Sequence, residues 1–97
     1  MSAIVIQKKH ALAHAEVRAR AEMLARRIEQ RLSVRWAWEG DEMKLTAPPG
    51  PARGTTGTVR VADDEVRIEV RLPLALSPMR RLVEGKLRDK LDDVLGR

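Results

Sequence analysis

Hydrophobic and polar positions alternate most cleanly from Glu65 to Leu72, where Val66, Ile68, Val70 and Leu72 are separated by Arg67, Glu69 and Arg71. A period of two sends the aliphatic side chains to one face, so this segment predicts a long strand in a sheet with one wet face. Thr58-Val59-Arg60-Val61 predicts the strand before it, with Asp63-Asp64 as the turn between them. Trp36 and Trp38 are two apart and share a face, and Met43 and Leu45 continue the alternation after Gly40-Asp41. Val34 to Thr46 therefore predicts a hairpin whose tight turn uses the φ > 0 tolerance of Gly40-Asp41. Ile4-Val5-Ile6 is a short β-branched run and predicts a strand.

A different period governs the rest. Val17, Ala21, Leu24, Ile28 and Leu32 are spaced by four, three, four and four, which predicts a helix over about 14–32. It lacks a capping Ser, Thr, Asp or Asn, so its first residue is not fixed by the sequence. Met79, Leu82, Val83, Leu87, Leu91, Val94 and Leu95 form a second apolar stripe ended by Gly96. Ser77-Pro78 reads as its N-cap and first residue. Gly85 within it costs about 1 kcal/mol relative to alanine, a cost that a close helix contact would explain. Ala47-Pro48-Pro49-Gly50-Pro51-Ala52 breaks all regular structure and is a loop, and Gly54-Thr55-Thr56-Gly57 either extends it or opens a weak strand. The order is β-α-β-β-β-β-α. One apolar stripe per helix and one apolar sheet face predict a single α+β domain over 1–97, a two-layer sandwich with both helices on one face of a mostly antiparallel sheet.

Composition narrows the chemistry. The chain has no Cys, Phe or Tyr, so disulfides and thiolate catalysis are excluded. The core must be aliphatic, around Trp36 and Trp38. Those two rings are expected to fill that core, or to line a pocket for a small apolar ligand. No stretch approaches the length of a transmembrane helix, the N-terminus lacks the pattern of a signal peptide, and a cytoplasmic location follows as the default. His10 and His14 are four apart with Glu16 nearby, too few ligands for a structural metal site, so no metal or cofactor is expected. Asp63-Asp64-Glu65 and Asp92-Asp93 are explained by turn and surface chemistry rather than by acid–base catalysis. No catalytic residue is assigned.

The net charge of +5 is placed unevenly. Residues 1–32 carry seven Lys/Arg against three Glu, and 73–97 carry six against four acids, while 33–72 are slightly acidic. The excess lies in the helices. With the stripes turned to the sheet, Arg18, Arg20, Arg26, Arg27 and Arg31 are expected on the outside of the first helix, and Arg80, Arg81, Lys86, Arg88 and Lys90 on the second. Such a layer suits anionic lipid or nucleic acid, and a solvated face that keeps a small protein soluble accounts for the same residues. The wet sheet face offers no aromatic platform for stacking RNA bases. An exposed sheet edge would offer a second copy a place to pair, making a homodimer.

Laid out this way, the chain resembles the polyhydroxyalkanoic acid system protein family. The matching residues are Ile4-Val5-Ile6 with His10 and Leu12, Ala21-Glu22 with Leu24-Ala25, then Trp38-Glu39-Gly40-Asp41, Gly57 with Val59, Val66 to Leu72, Val83-Glu84 and Leu91-Asp92. The Trp-Glu-Gly-Asp tetrapeptide is the most specific of these. The proline-rich segment 48–51 and Ala13, where a capping Ser or Thr would fit, depart from the pattern in connections only. The resemblance implies a bacterial protein associated with polyhydroxyalkanoate metabolism or storage granules, with no catalytic residue to transfer. It favours a non-enzymatic accessory protein whose partners are the granule surface or granule proteins. A basic nucleic-acid-binding module and an apolar-ligand carrier are the alternatives.

Overall fold

The computed structural model describes residues 2–50 and 53–96. Its elements are β1 (Ser2–Lys9), α1 (His14–Leu32), β2 (Arg35–Glu39), β3 (Glu42–Thr46), β4 (Thr56–Val61), β5 (Glu65–Leu72), a short 3-10 segment (Leu74–Met79) and α2 (Arg80–Leu95). The five strands form one antiparallel sheet in the order β1-β5-β4-β3-β2, so β1 and β2 are its edges. The fold is the α+β arrangement predicted from the periodicities.

Register explains the core. Ile6, Ile68, Val59, Met43 and Trp38 stand in one row across all five strands, and Ile4, Val70, Gly57, Leu45 and Trp36 in the next. Branched aliphatics fill the β1 side and indoles the β2 side of the same face. α1 must run from the β1 edge to the β2 edge. That crossing is four strand spacings, about 19 Å, and nineteen residues supply about 28 Å of helix. α1 buries Val17 and Ala25, while α2 lies mainly over β1 and buries Leu91 and Leu95. Ile4, Ile6, Val17, Val61, Val66, Ile68, Leu72, Leu91 and Leu95 make one continuous core. Each fully buried aliphatic side chain there contributes about 1.5–3 kcal/mol.

Several boundaries differ from the sequence reading. β1 runs the full length of β5, because Ser2 to Lys9 pair in register with Leu72 to Glu65. β4 begins at Thr56, which pairs with both Thr46 and Arg71, so Thr56-Gly57 belong to the strand. Of the breaker segment, 47–50 are outside regular structure as expected, and Pro51-Ala52 lie outside the described residues. Ser77 does not cap α2. Pro73, with φ −63°, starts a 3-10 turn earlier, and the Ser77 hydroxyl donates back to the Leu74 carbonyl at 2.8 Å. Pro78 falls inside that turn, and α2 begins at Arg80. Gly85 faces open space, so no helix contact explains it. At the β2–β3 turn the positive φ lies at Gly40 (63°) and not at Asp41, the pattern of a II′ hairpin.

Candidate functional site

The two indoles are not enclosed. Both are half-buried on the edge strand β2, with Trp38 packed against the core. α1 covers them with side chains at positions 18, 22, 26 and 29, one stripe of the helix. The Arg18 guanidinium lies 4.0 Å from the Trp38 ring centre, and that of Arg26 lies 5.5 Å from Trp36. The Trp38 indole N–H donates to Glu22 at 3.0 Å and that of Trp36 to Glu29 at 3.3 Å. Each ring thus meets a cation on its face and a carboxylate at its edge, the placement its quadrupole and its single donor call for. The Trp38 hydrogen bond, followed by Arg26, holds the Glu22 carboxyl below the usual range. With their faces occupied by the chain's own arginines, the indoles clamp α1 to the sheet rather than wait for an apolar ligand.

The Trp38-Glu39-Gly40-Asp41 turn completes the clamp. Arg18 donates to the Gly40 carbonyl at 2.6 Å and to Asp41 at 3.2 Å, and Glu39 pairs with Lys44 at 3.1 Å. His14, in the first turn of α1, sits between two carboxylates, with Nε2 2.9 Å from Asp41 and Nδ1 3.1 Å from Asp63. A neutral imidazole has one donor, so both contacts are hydrogen bonds only when the ring is protonated. His10 differs. Its Nδ1 accepts from the Leu12 N–H, which leaves Nε2 to donate to the Ala62 carbonyl. The histidines therefore fasten turns. Among the described residues no group of three or more His, Asp and Glu is placed to hold a metal.

The His14 bridge makes stability depend on pH. The hydrogen bond to Asp41 raises the His14 pKa above its ordinary 6.5, and the same bond lowers that of Asp41 below 3.8. The His14 contribution is complete below its unfolded pKa and is lost as pH rises through the raised folded value. The Asp41 contribution is complete above its unfolded pKa and is lost as pH falls through the lowered folded value. The bridge is therefore strongest between about pH 4 and 6.5. Urea midpoints should fall from pH 5.5 to pH 8 in the natural chain, and His14→Gln should flatten that fall. An unchanged slope in the variant would assign the pH dependence to another group.

The arginines read from the sequence as one outer layer divide into two sets. Arg18 and Arg20 turn inward. Arg18 covers Trp38, and Arg20 donates to the Val94 carbonyl at 2.8 Å and pairs with Glu16 at 2.7 Å, tying α1 to α2. Arg26 covers Trp36, Arg80 donates to the Ala3 carbonyl at 3.1 Å, and Arg88 lies 4.0 Å from Glu84. Lys8 pairs with Asp92. Arg27, Arg31, Arg81, Lys86 and Lys90 have no hydrogen-bond or ion-pair partner among the described residues and are exposed. Met23, Leu32, Met79 and Leu82 are exposed on the same helical layer or at its start, with Leu32 63% and Met23 56% accessible. Sequence spacing did not single out these apolar residues, because Leu32, Met79 and Leu82 were counted into the stripes that cover the sheet.

A family model for polyhydroxyalkanoic acid system proteins matches residues 4–95. The chain belongs to that family. No curated protein and no solved structure matches it. For this polyhydroxyalkanoic acid system protein, the Trp-Glu-Gly-Asp motif is accounted for by the clamp. Trp38 takes Arg18, Gly40 supplies the turn and a carbonyl, and Asp41 takes His14 and Arg18. The face away from the helices carries Lys9, Arg35, Lys44, Arg60, Arg67 and Arg71 among four Glu and no aromatic ring. Arg60 stands directly opposite Arg67 there, and Glu69 bridges Arg67 and Arg71. That mixed face lacks the stacking platform of a single-strand binder. Among the described residues no helix is long and apolar enough to cross a membrane.

Proposed function

We propose that this chain is a non-enzymatic accessory protein of polyhydroxyalkanoate storage, cytoplasmic, and held at the anionic boundary of the polymer granule by its helical layer. One observation carries the reading: five cations without a partner among the described residues, Arg27, Arg31, Arg81, Lys86 and Lys90, share a layer with exposed Met23, Leu32 and Leu82. A surface of phospholipid head groups over apolar material rewards both, with about 1 kcal/mol per cation near the charged plane and about 0.8 kcal/mol per buried methylene. No unfolding of the stripes is needed, because these residues are exposed already. The family's link to a polyhydroxyalkanoic acid system supplies the setting. A non-catalytic role fits the titratable groups whose pKa is displaced, since structural ion pairs and hydrogen bonds explain each. A fluorescently tagged copy expressed in polymer-accumulating cells should mark the granule rim. A signal that stays diffuse with granules present overturns the reading.

A further inference from the structure

We infer that the groove between α1 and α2 binds a single alkyl chain ending in a carboxylate. The helices run antiparallel and are pinned where Arg20 donates to the Val94 carbonyl. Beyond that point a groove of about 890 Å³ lies between them. This is the upper range of natural small-molecule sites, about 300–1,000 Å³. Its floor is Leu24, Ile28 and Leu32, one side chain per turn along α1. Two turns of helix give that floor a length of about 12 Å, enough for a medium-length alkyl chain.

Charge gives the groove a direction. Asp93 lines it with Leu24 near the pinned end, and Asp89 lies next along α2, where Arg27 and Lys90 also face the space. Towards the end of α1 the charged lining is Arg31 and, from α2, Lys86, with no acid. A carboxylate at that end meets two cations that hold no other partner among the described residues, while its alkyl chain lies over Ile28 and Leu24 towards the pin. A cationic head group there meets repulsion instead. The occupant is therefore a free alkyl carboxylate. This goes beyond attachment to a surface, and it holds whether or not the protein sits on granules.

Decanoate, kept below the concentration at which it forms micelles, is the probe. Amide chemical shifts should saturate with decanoate, with changes confined to residues 24–32 and 82–93. Decyltrimethylammonium, with the same tail and the opposite charge, should bind at least tenfold more weakly, because the acids at the pinned end, Asp89 and Asp93, share the lining with Arg27 and Lys90. Leu32→Gln, at a position exposed enough to fold normally, and Ile28→Gln should each weaken decanoate at least tenfold. Ile28 is half-buried and outside the exposed set that meets lipid, so Ile28→Gln should still bind anionic vesicles, whereas Leu32→Gln should lose part of its vesicle affinity as well. Arg31→Gln with Lys86→Gln should also weaken decanoate at least tenfold. Shifts that never saturate, equal response to the cationic surfactant, or changes spread over the sheet face overturn the inference. If the natural chain binds decanoate but no anionic vesicle, that counts against the granule-surface reading alone.

Discussion

Trp38→Ala is expected to destabilise the fold by about 2–3 kcal/mol, near the lower limit for deleting a large aromatic because the ring is half-buried. Three interactions go at once. The ring leaves Met43, its cross-strand partner, which is 1% exposed and forms part of the core. Arg18 loses the face it stacks on at 4.0 Å, and Glu22 loses the indole N–H at 3.0 Å. The remaining anchors of α1 on the turn, Arg18 to Gly40 and His14 to Asp41, are exposed and do not replace buried area. Trp36→Ala removes a longer stack and a longer hydrogen bond, 5.5 Å and 3.3 Å, and should cost about half as much. For a domain of this size the Trp38 change corresponds to roughly 10–20 °C in melting temperature. Urea unfolding followed by circular dichroism measures both. Equal losses from the two substitutions would show that the rings act as one unit rather than as separate pins.

The clamp also shows what could and could not be read from the chain. The strands and α1 were legible because burial imposes its period directly on the residue order. Val66, Ile68 and Leu72 are buried where the alternation puts them, and so is Val17. Arg18, Glu22, Arg26 and Glu29 were harder. On a helix, charges at such spacing look like the solvated pairs that steady any exposed face, and two of them are such a pair, Arg26 with Glu22 at 3.4 Å. Their second contacts, to Trp36 and Trp38, depend on how α1 crosses β2, which no local period encodes. The signal was still present: the only two indoles of the chain share a face, and something polar must meet two indole N–H groups. Ser77-Pro78 failed for the opposite reason. Its local pattern was that of a helix start, but Pro73 opened a tighter turn first and the serine turned back to Leu74. The groove is illegible in the sequence because it lies between two helices whose stripes, read separately, both assign to the sheet.

Replacing Arg27, Arg31, Lys86 and Lys90 together with Glu should lower affinity for anionic phospholipid vesicles at least a hundredfold, in low salt at pH 7. Each cation close to a charged lipid plane contributes about 1 kcal/mol, and about 1.4 kcal/mol is a factor of ten. Four losses alone give nearly a thousandfold if all four touch the surface together. The curvature of a small domain keeps some of them at a distance, while the new carboxylates add repulsion, so a hundredfold is the lower bound. No ion pair is lost, since none of the four has a partner among the described residues, and the new carboxylates beside Asp89 and Asp93 should cost only a few tenths of a kcal/mol per like-charge pair. Net charge falls from +5 to −3, however, and that change by itself weakens attraction to any anion. The deciding comparison reverses Lys9, Arg35, Arg53 and Arg60 instead, all exposed and all outside the helical layer. Both variants carry −3. If the helical layer is the contact surface, the second variant keeps most of its vesicle binding and keeps a steep dependence on salt. Equal losses would mean that only net charge attracts the protein to lipid. A larger loss from the second variant would move the contact to the sheet face and leave the helical cations as solvation.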